Sequence, residues 1–191
     1  RYLDGDPALY LYTRYANPTL DELERALAAL EGAEAGLAFA SGMAAMSTAV
    51  LSLVSAGDEV LASASLYGGT LKLLTSVLPR FGVSARLLAL DDVARVDQLA
   101  SEKSRLLVIE SPTNPTLEVV DIEAVCRAAH ARGLAVVVDN TFASPIVQRP
   151  ITLGADLVMH SLTKSLAGHS DLIGGALVGS RARMDAARAL L

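Results

Sequence analysis

Aromatic residues make up only 4% of the chain, tryptophan is absent, and cysteine occurs once, at Cys126. A single thiol excludes an internal disulfide and any zinc site that needs several thiolates, so no metal site is expected. No uninterrupted apolar stretch reaches the roughly 18 residues that a membrane span needs. Basic residues do not predominate either: 16 Lys and Arg face 21 Asp and Glu, a net charge of −5. Nucleic acid as the main partner is therefore not expected, since phosphate binding wants a basic face. The opening Arg1-Tyr2-Leu3-Asp4-Gly5-Asp6-Pro7 has no apolar run of the signal-peptide kind. A cytoplasmic protein is the expectation.

What is present is a large reserve of core residues. Of 191 residues 52% are hydrophobic and 19% charged, which excludes intrinsic disorder and suits one domain. The chain opens on Arg1 rather than Met and closes on Ala189-Leu190-Leu191 within an amphipathic pattern, so a longer parent protein is expected.

Short β-branched runs alternate with amphipathic stretches. Thr19-Leu-Asp-Glu22 has the form of a capping box, followed by Leu20, Leu23, Leu27 and Leu30 at helical spacing and Gly32 as a stop. Strands are predicted at 36–40, 58–62 and 84–88, with helices at 42–54, 70–78 and 93–102. The runs 105–110 and 134–139 are nearly all apolar and each ends in a carboxylate, the habit of parallel strands covered on both faces. Between them Asp121 caps a helix with Ile122, Val125, Cys126 and Ala129 on one side, and strands follow at 156–160 and 175–179. This alternation predicts an α/β fold with a mostly parallel sheet flanked by helices. Asp91-Asp92 reads as a solvated loop, Cys126 as core, and His160 and His169 as structural or polar-network residues.

Ligands of open α/β sheets bind beyond the carboxyl ends of the strands. There the sequence places Ser41-Gly42-Met43, Tyr67-Gly68-Gly69-Thr70, Glu110-Ser-Pro-Thr-Asn114-Pro115, Asp139-Asn140-Thr141 and Ser161-Leu-Thr-Lys164. No G-x-G-x-x-G or G-x-x-x-x-G-K-[ST] follows a strand, so dinucleotide and nucleoside-triphosphate folds lose their main support. Each remaining signal has a plain structural reading beside a chemical one. Ser41 caps a helix, or the helix end takes an anion. Lys164 is a solvated loop cation, or an amine that forms a Schiff base with an aldehyde cofactor. Asp139 caps a turn, or pairs with a buried cation such as a protonated pyridine nitrogen. Tyr67 is a core residue, or stacks on a flat ligand admitted by Gly68-Gly69. Taken together, lysine, aspartate, aromatic and helix end match the needs of pyridoxal 5′-phosphate.

The motifs also resemble a known family. Tyr12-Thr-Arg14-Tyr-Ala-Asn17-Pro18-Thr19, Ser41-Gly42-Met43, Leu66-Tyr67-Gly68-Gly69-Thr70, Glu110-Ser-Pro-Thr-Asn114-Pro115, Val138-Asp139-Asn140-Thr141-Phe142 and His160-Ser161-Leu-Thr163-Lys164 occur in its order. The chain is similar, from about Tyr12 to Gly179, to the large domain of the Cys/Met-metabolism pyridoxal-phosphate enzymes, which have the fold of the aspartate-aminotransferase-like, fold type I group. The resemblance implies Lys164 as covalent anchor, Asp139 on the ring nitrogen, Tyr67 stacked on the ring and Asn114 at the ring hydroxyl. It implies that Ser41, Gly42, Met43, Ser161 and Thr163 surround the phosphate, with Lys164, Tyr67 and Asp139 as the catalytic set. Tyr12 and Arg14 would reach the phosphate of a neighbouring subunit from an arm at 1–18, making a homodimer or homotetramer. Residues 19–191 would form the cofactor domain, without the C-terminal domain whose arginine grips the substrate carboxylate.

The implied activity is elimination or replacement at Cβ or Cγ of a sulfur-containing or O-acylated homoserine-type amino acid. The branch implied first is cystathionine γ-synthase- or γ-lyase-like. Methionine γ-lyase, which often carries cysteine where Gly69 stands, and O-acetylhomoserine sulfhydrylase are the alternatives. A non-catalytic cofactor-binding fragment would be marked by loss of the lysine or aspartate, and both are present. The Tyr12-x-Arg14 motif and the Asn114-Pro115 loop weigh against an aminotransferase.

Overall fold

The computed structural model describes residues 10, 12, 13 and 16–191. Helix α1 (Pro18–Glu31) starts at Asn17, whose side-chain oxygen accepts from the amides of Thr19 and Leu20 at 2.8 and 3.2 Å. This corrects the cap expected at Thr19. Pro18 takes the first helical position, where its missing N–H loses no bond and its fixed φ suits the helix. Gly32 ends the helix at φ 76°, as expected.

The leucine stripe of α1 is not its buried face. Leu27 is buried, but Leu23 and Leu30 are 38% and 39% exposed, and Glu24 and Glu31 lie inside. Each carboxylate has its own partners. Glu24 accepts from the backbone amide of Ala38 at 2.9 Å and pairs with Arg188 at 2.6 Å. Glu31 Oε1 lies 2.6 Å from His160 Nε2 and accepts from Asn140 Nδ2 at 2.8 Å. Buried charge survives only with such partners, and these decide how the helix is rotated.

Seven strands form one sheet: β1 (Ala35–Phe39), β2 (Glu59–Ser63), β3 (Ser84–Leu88), β4 (Ser104–Glu110), β5 (Ala135–Asp139), β6 (Leu157–Ser161) and β7 (Gly175–Gly179). Their order is β1-β7-β6-β5-β4-β2-β3. Strands β3, β2, β4, β5 and β6 pair in parallel, while β7 runs antiparallel to both β6 and β1. Alternate strand residues feed two cores. Leu107, Ile109, Val136 and Val138 pack toward α5 (Ile122–His130), and Leu106, Val108 and Val137 toward α2 (Gly42–Leu51). Asp121 caps α5 through Ala124 N at 3.0 Å, and Ile122, Val125, Cys126 and Ala129 form its buried face, as the pattern predicted.

Two predicted helices are broken. The stretch expected at 70–78 is a short α3 (Gly68–Lys72) followed by a π-helical turn at Leu73–Val77 and a 3-10 turn at Leu78–Phe81. Pro79 cannot continue an α-helix, and Thr75 Oγ1 donates back to Leu71 O at 2.8 Å. The stretch expected at 93–102 is a 3-10 turn at Leu90–Arg95 and α4 (Val96–Leu99). Asp92 pairs with Arg95 there, and Asp91 faces solvent. The remaining helices are α6 (Ser144–Val147) and α7 (Arg181–Arg188). No helix among the described residues is long and apolar enough to cross a membrane.

The start of α1 yields a direct test. Asn17→Ala should lower stability by about 1 kcal/mol, the usual worth of a cap. Thr19→Ala should change it by less than about 0.5 kcal/mol. Urea unfolding of the two variants measures both; a larger loss at Thr19 would restore the capping box.

Candidate active site

The carboxyl ends of β4, β5 and β6 meet the first turn of α2 around a cavity of about 530 Å³, a size suited to a small molecule. Ser41 caps α2, its Oγ accepting from Ala44 N at 3.1 Å. The first amides of a helix have no intrahelical acceptor, so Gly42 and Met43 bring a donor-rich, positive end to the cavity wall. Gly42 is sterically required. A β-carbon there would stand 2.8 Å from Ser161 Cβ, which shows how closely α2 rests on the end of β6.

Asp139 ends β5 and is 6% exposed. Its Oδ1 accepts from Thr141 N at 3.0 Å. Burial holds its carboxyl above the ordinary range, against the opposing bonds from Thr141 and the charge of His160. Among the described residues no cationic side chain forms an ion pair with it. The turn-capping and the chemical readings of Asp139 are thus compatible: one oxygen holds the turn, and the buried charge still wants a cation.

Lys164 reaches the same cavity from the turn after β6. It is exposed, and among the described residues it has no ion-pair partner. Thr163 fixes this turn, its Oγ1 donating to Gly174 O at 3.3 Å and accepting from Gly174 N at 3.2 Å. Ser161 N donates to Thr141 Oγ1 at 2.9 Å, tying the turn after β5 to the end of β6. Tyr67 stands at the start of α3 with its side chain 53% exposed. Its ring lies over Gly69, where a β-carbon would sit 2.6 Å from Tyr67 Cε1 and 3.0 Å from Met43 Sδ.

The structure therefore gathers Ser41, Gly42 and Met43 with Tyr67 and Asn114, and faces them with Asp139, Ser161, Thr163 and Lys164. Tyr12 is exposed and is not among the residues lining the cavity. Arg14 lies outside the described residues. Sequence reasoning assigned no role to Glu110, Thr141, Phe142, Met159 or Ser165, all of which line the cavity. For Glu110 a signal existed, a carboxylate closing an apolar strand; Met159 looks like any strand interior residue. His160 is buried on Glu31 and His169 Nδ1 lies 2.8 Å from Ala167 O, the polar-network roles expected of them. Cys126 is buried core, and burial pushes its thiol up to about 12.

Comparison with known proteins is consistent along the whole chain. Residues 3–190 match the family model described as Cys/Met metabolism PLP-dependent enzyme. L-methionine gamma-lyase of Pseudomonas putida is 45% identical over 96% of this chain and 46% of its own length. A probable cystathionine gamma-synthase of Herpetosiphon aurantiacus is 46% identical over 92% of this chain and 55% of its own. Among solved structures, metB from Corynebacterium glutamicum superposes with a TM-score of 0.91 at 41% identity, covering 96% of this chain and 48% of that one. Cystathionine gamma-lyase from Lactobacillus plantarum complexed with L-serine gives 0.90 at 40% identity, covering 97% and 50%. The chain spans about half the length of the relatives it matches.

The neighbouring carboxylates generate a pH test. Glu110 ends β4 and pairs in register with Asp139. Burial first, and the charge of Asp139 second, raise its pKa from 4.5 to about 7, against bonds from the Tyr67 and Asn114 amides. A carboxyl raised on folding favours the folded state most below its unfolded value. That contribution is lost as pH rises through about 7. In cofactor-free protein, carbon-detected NMR should find the Glu110 carboxyl titrating near 7. In Asp139→Asn its pKa should fall yet stay above 4.5, because burial remains. An unchanged midpoint would show that the two carboxyls do not interact.

Proposed function

The chain belongs to the Cys/Met metabolism PLP-dependent enzyme family, and from that premise we propose that its cavity holds pyridoxal 5′-phosphate. The full-length protein, in this reading, breaks or forms carbon–sulfur bonds at Cβ or Cγ of a sulfur-containing or O-acylated homoserine-type amino acid. The observation that carries it is the meeting of Lys164 with a buried Asp139, which forms no ion pair among the described residues, at one sheet edge beside Tyr67 and the first turn of α2.

The residues fit the cofactor. Asp139 is a buried carboxyl with no ion pair among the described residues, and a protonated ring nitrogen would supply one through a charge-assisted hydrogen bond. Tyr67 offers a flat face at the cavity wall, and Asn114 a side chain for the ring hydroxyl. The Gly42 and Met43 amides and the Ser161 hydroxyl suit a phosphate dianion, joined by the Thr163 hydroxyl once its proton turns from Gly174 O, and the Ser41 cap holds their turn in shape. Bound there, pyridoxal phosphate supplies an electron sink for charge developed at the substrate Cα. Lys164 would hold the cofactor through its Nζ. The Lys164 amine would serve as the base that takes the substrate Cα proton and could return it further along the substrate. The Tyr67 hydroxyl assists departure of the sulfur or acyl-oxygen group.

Within the family, Gly69 suits the synthase, sulfhydrylase and cystathionine-lyase branches better than the methionine γ-lyases, which often carry cysteine there. Any β-carbon at this position pushes into the Tyr67 ring. Residues 1–18 are assigned to an arm that carries Tyr12 and Arg14 to a second subunit, and 19–191 to the cofactor domain.

Borohydride reduction of the cofactor-loaded full-length protein, followed by peptide mass mapping, should place the label on Lys164. Label elsewhere, or none on fully loaded protein, overturns the reading. For the arm, full-length Arg14→Ala and Lys164→Ala chains should each be inactive, while their mixture regains activity through one intact site per mixed dimer. No gain after demonstrated subunit exchange places Arg14 in its own subunit's site.

A further inference from the structure

We propose that Glu110 is a positioning residue for the cofactor ring, one carboxylate that fixes the two loops presenting Tyr67 and Asn114 to the cavity. This rests on the cofactor placement proposed above and adds to it a residue to which no role has been given.

Glu110 is 5% exposed and lines the cavity at the end of β4. Its two oxygens are divided between two loops. Oε2 accepts from the backbone amide of Tyr67 at 2.6 Å, across 43 positions of sequence. Oε1 accepts from the backbone amide of Asn114 at 3.0 Å. Bonds to main-chain amides place the chain itself, and hence the direction in which each side chain leaves it. Tyr67 depends on this placement, because its ring is half in solvent and lies over Gly69, which offers no side chain to hold it.

The chemistry of the group matches the task. Two N–H donors arriving at two different oxygens require an acceptor on each, and only a carboxylate has that. Glutamine would turn an NH₂ toward one of the amides and release that loop. Burial first, and the neighbouring charge of Asp139 second, disfavour the ionised carboxylate and raise its pKa to about 7. The two amides are what oppose that cost. The register of β4 with β5 sets this strap directly beside Asp139, so the contacts proposed for the ring nitrogen, face and hydroxyl share adjacent strand ends.

The test uses full-length protein freed of cofactor and titrated with pyridoxal phosphate, reading the dissociation constant and the circular dichroism of the bound chromophore. Glu110→Gln should weaken binding by about tenfold or more, the worth of one charge-assisted hydrogen bond, and reduce the induced signal. Tyr67→Ala should weaken binding too. If Glu110 acts through the placement of Tyr67, the double variant loses less than the product of the single losses. Multiplying effects, or unchanged binding and dichroism in Glu110→Gln, overturn the inference. Should the glutamine variant fail to fold, Glu110→Asp replaces it in the same cycle. That variant keeps both acceptors one methylene shorter, and the same coupling with Tyr67→Ala is expected, with its absence again overturning the inference. Tyr67→Ala alone separates the two levels. If it leaves binding and dichroism unchanged, Tyr67 does not face the ring, and both the placement and this inference fall. If it weakens binding while the Glu110 variants do not, only the inference falls.

Discussion

In β4, β5 and β6 the parallel ladder sets Glu110 opposite Asp139 and Asp139 opposite Met159. Strands β5 and β6 are apolar until their last residues, as is β4 after Arg105, so these polar ends emerge at the carboxyl edge of the sheet. Parallel pairing makes those ends coincide, and the cavity exists because they do. A slip of one residue would turn Asp139 to the other face of the sheet and break the pairing with Glu110. The positions of Tyr67, Asn114 and Lys164 follow from this register, since each leaves a loop tied to one of these strand ends.

Behind the cavity lies a second polar layer that braces the strand ends against α1. Glu31 bonds His160 and Asn140, and Gln148 Nε2 donates to Asn140 Oδ1 at 3.0 Å and to Ser111 O at 2.8 Å. One connected network thus reaches α1, the end of β6 and the segments that follow β4 and β5. These long-range bonds hold the ends of β4, β5 and β6 to α1, although Glu31 Oε2 and His160 Nδ1 are buried without a partner among the described residues. The exposed side of the site is different: Tyr67, Phe142 and Lys164 face outward, where an entering molecule would meet them.

Much of this was legible in the sequence because local rules governed it. Apolar runs ending in carboxylates marked β4 and β5, Asp121 marked the start of α5, and Gly32 the end of α1. The turns at Ser41-Gly42-Met43 and Ser161-Leu-Thr-Lys164 fell at strand ends, and an edge site followed from the α/β pattern. Periodicity failed where a specific long-range partner outweighed it. Glu24 and Glu31 are inside, and Leu23 and Leu30 more open, because Ala38, Arg188, His160 and Asn140 offer those carboxylates bonds from elsewhere in the chain.

The amino-acid sequence by itself determined the alternation of strands and helices, the apolar character of the central strands and the residue types at their ends. Those features depend on neighbours in the chain, through capping, backbone propensity and the period of the hydrophobic pattern. Only the tertiary structure decided that Glu110 would bond Tyr67, that Asp139 would be buried beside Glu110, and that α1 would turn its glutamates inward. Each joins residues distant in sequence, and strand order and register, which no local pattern encodes, bring them within hydrogen-bond reach.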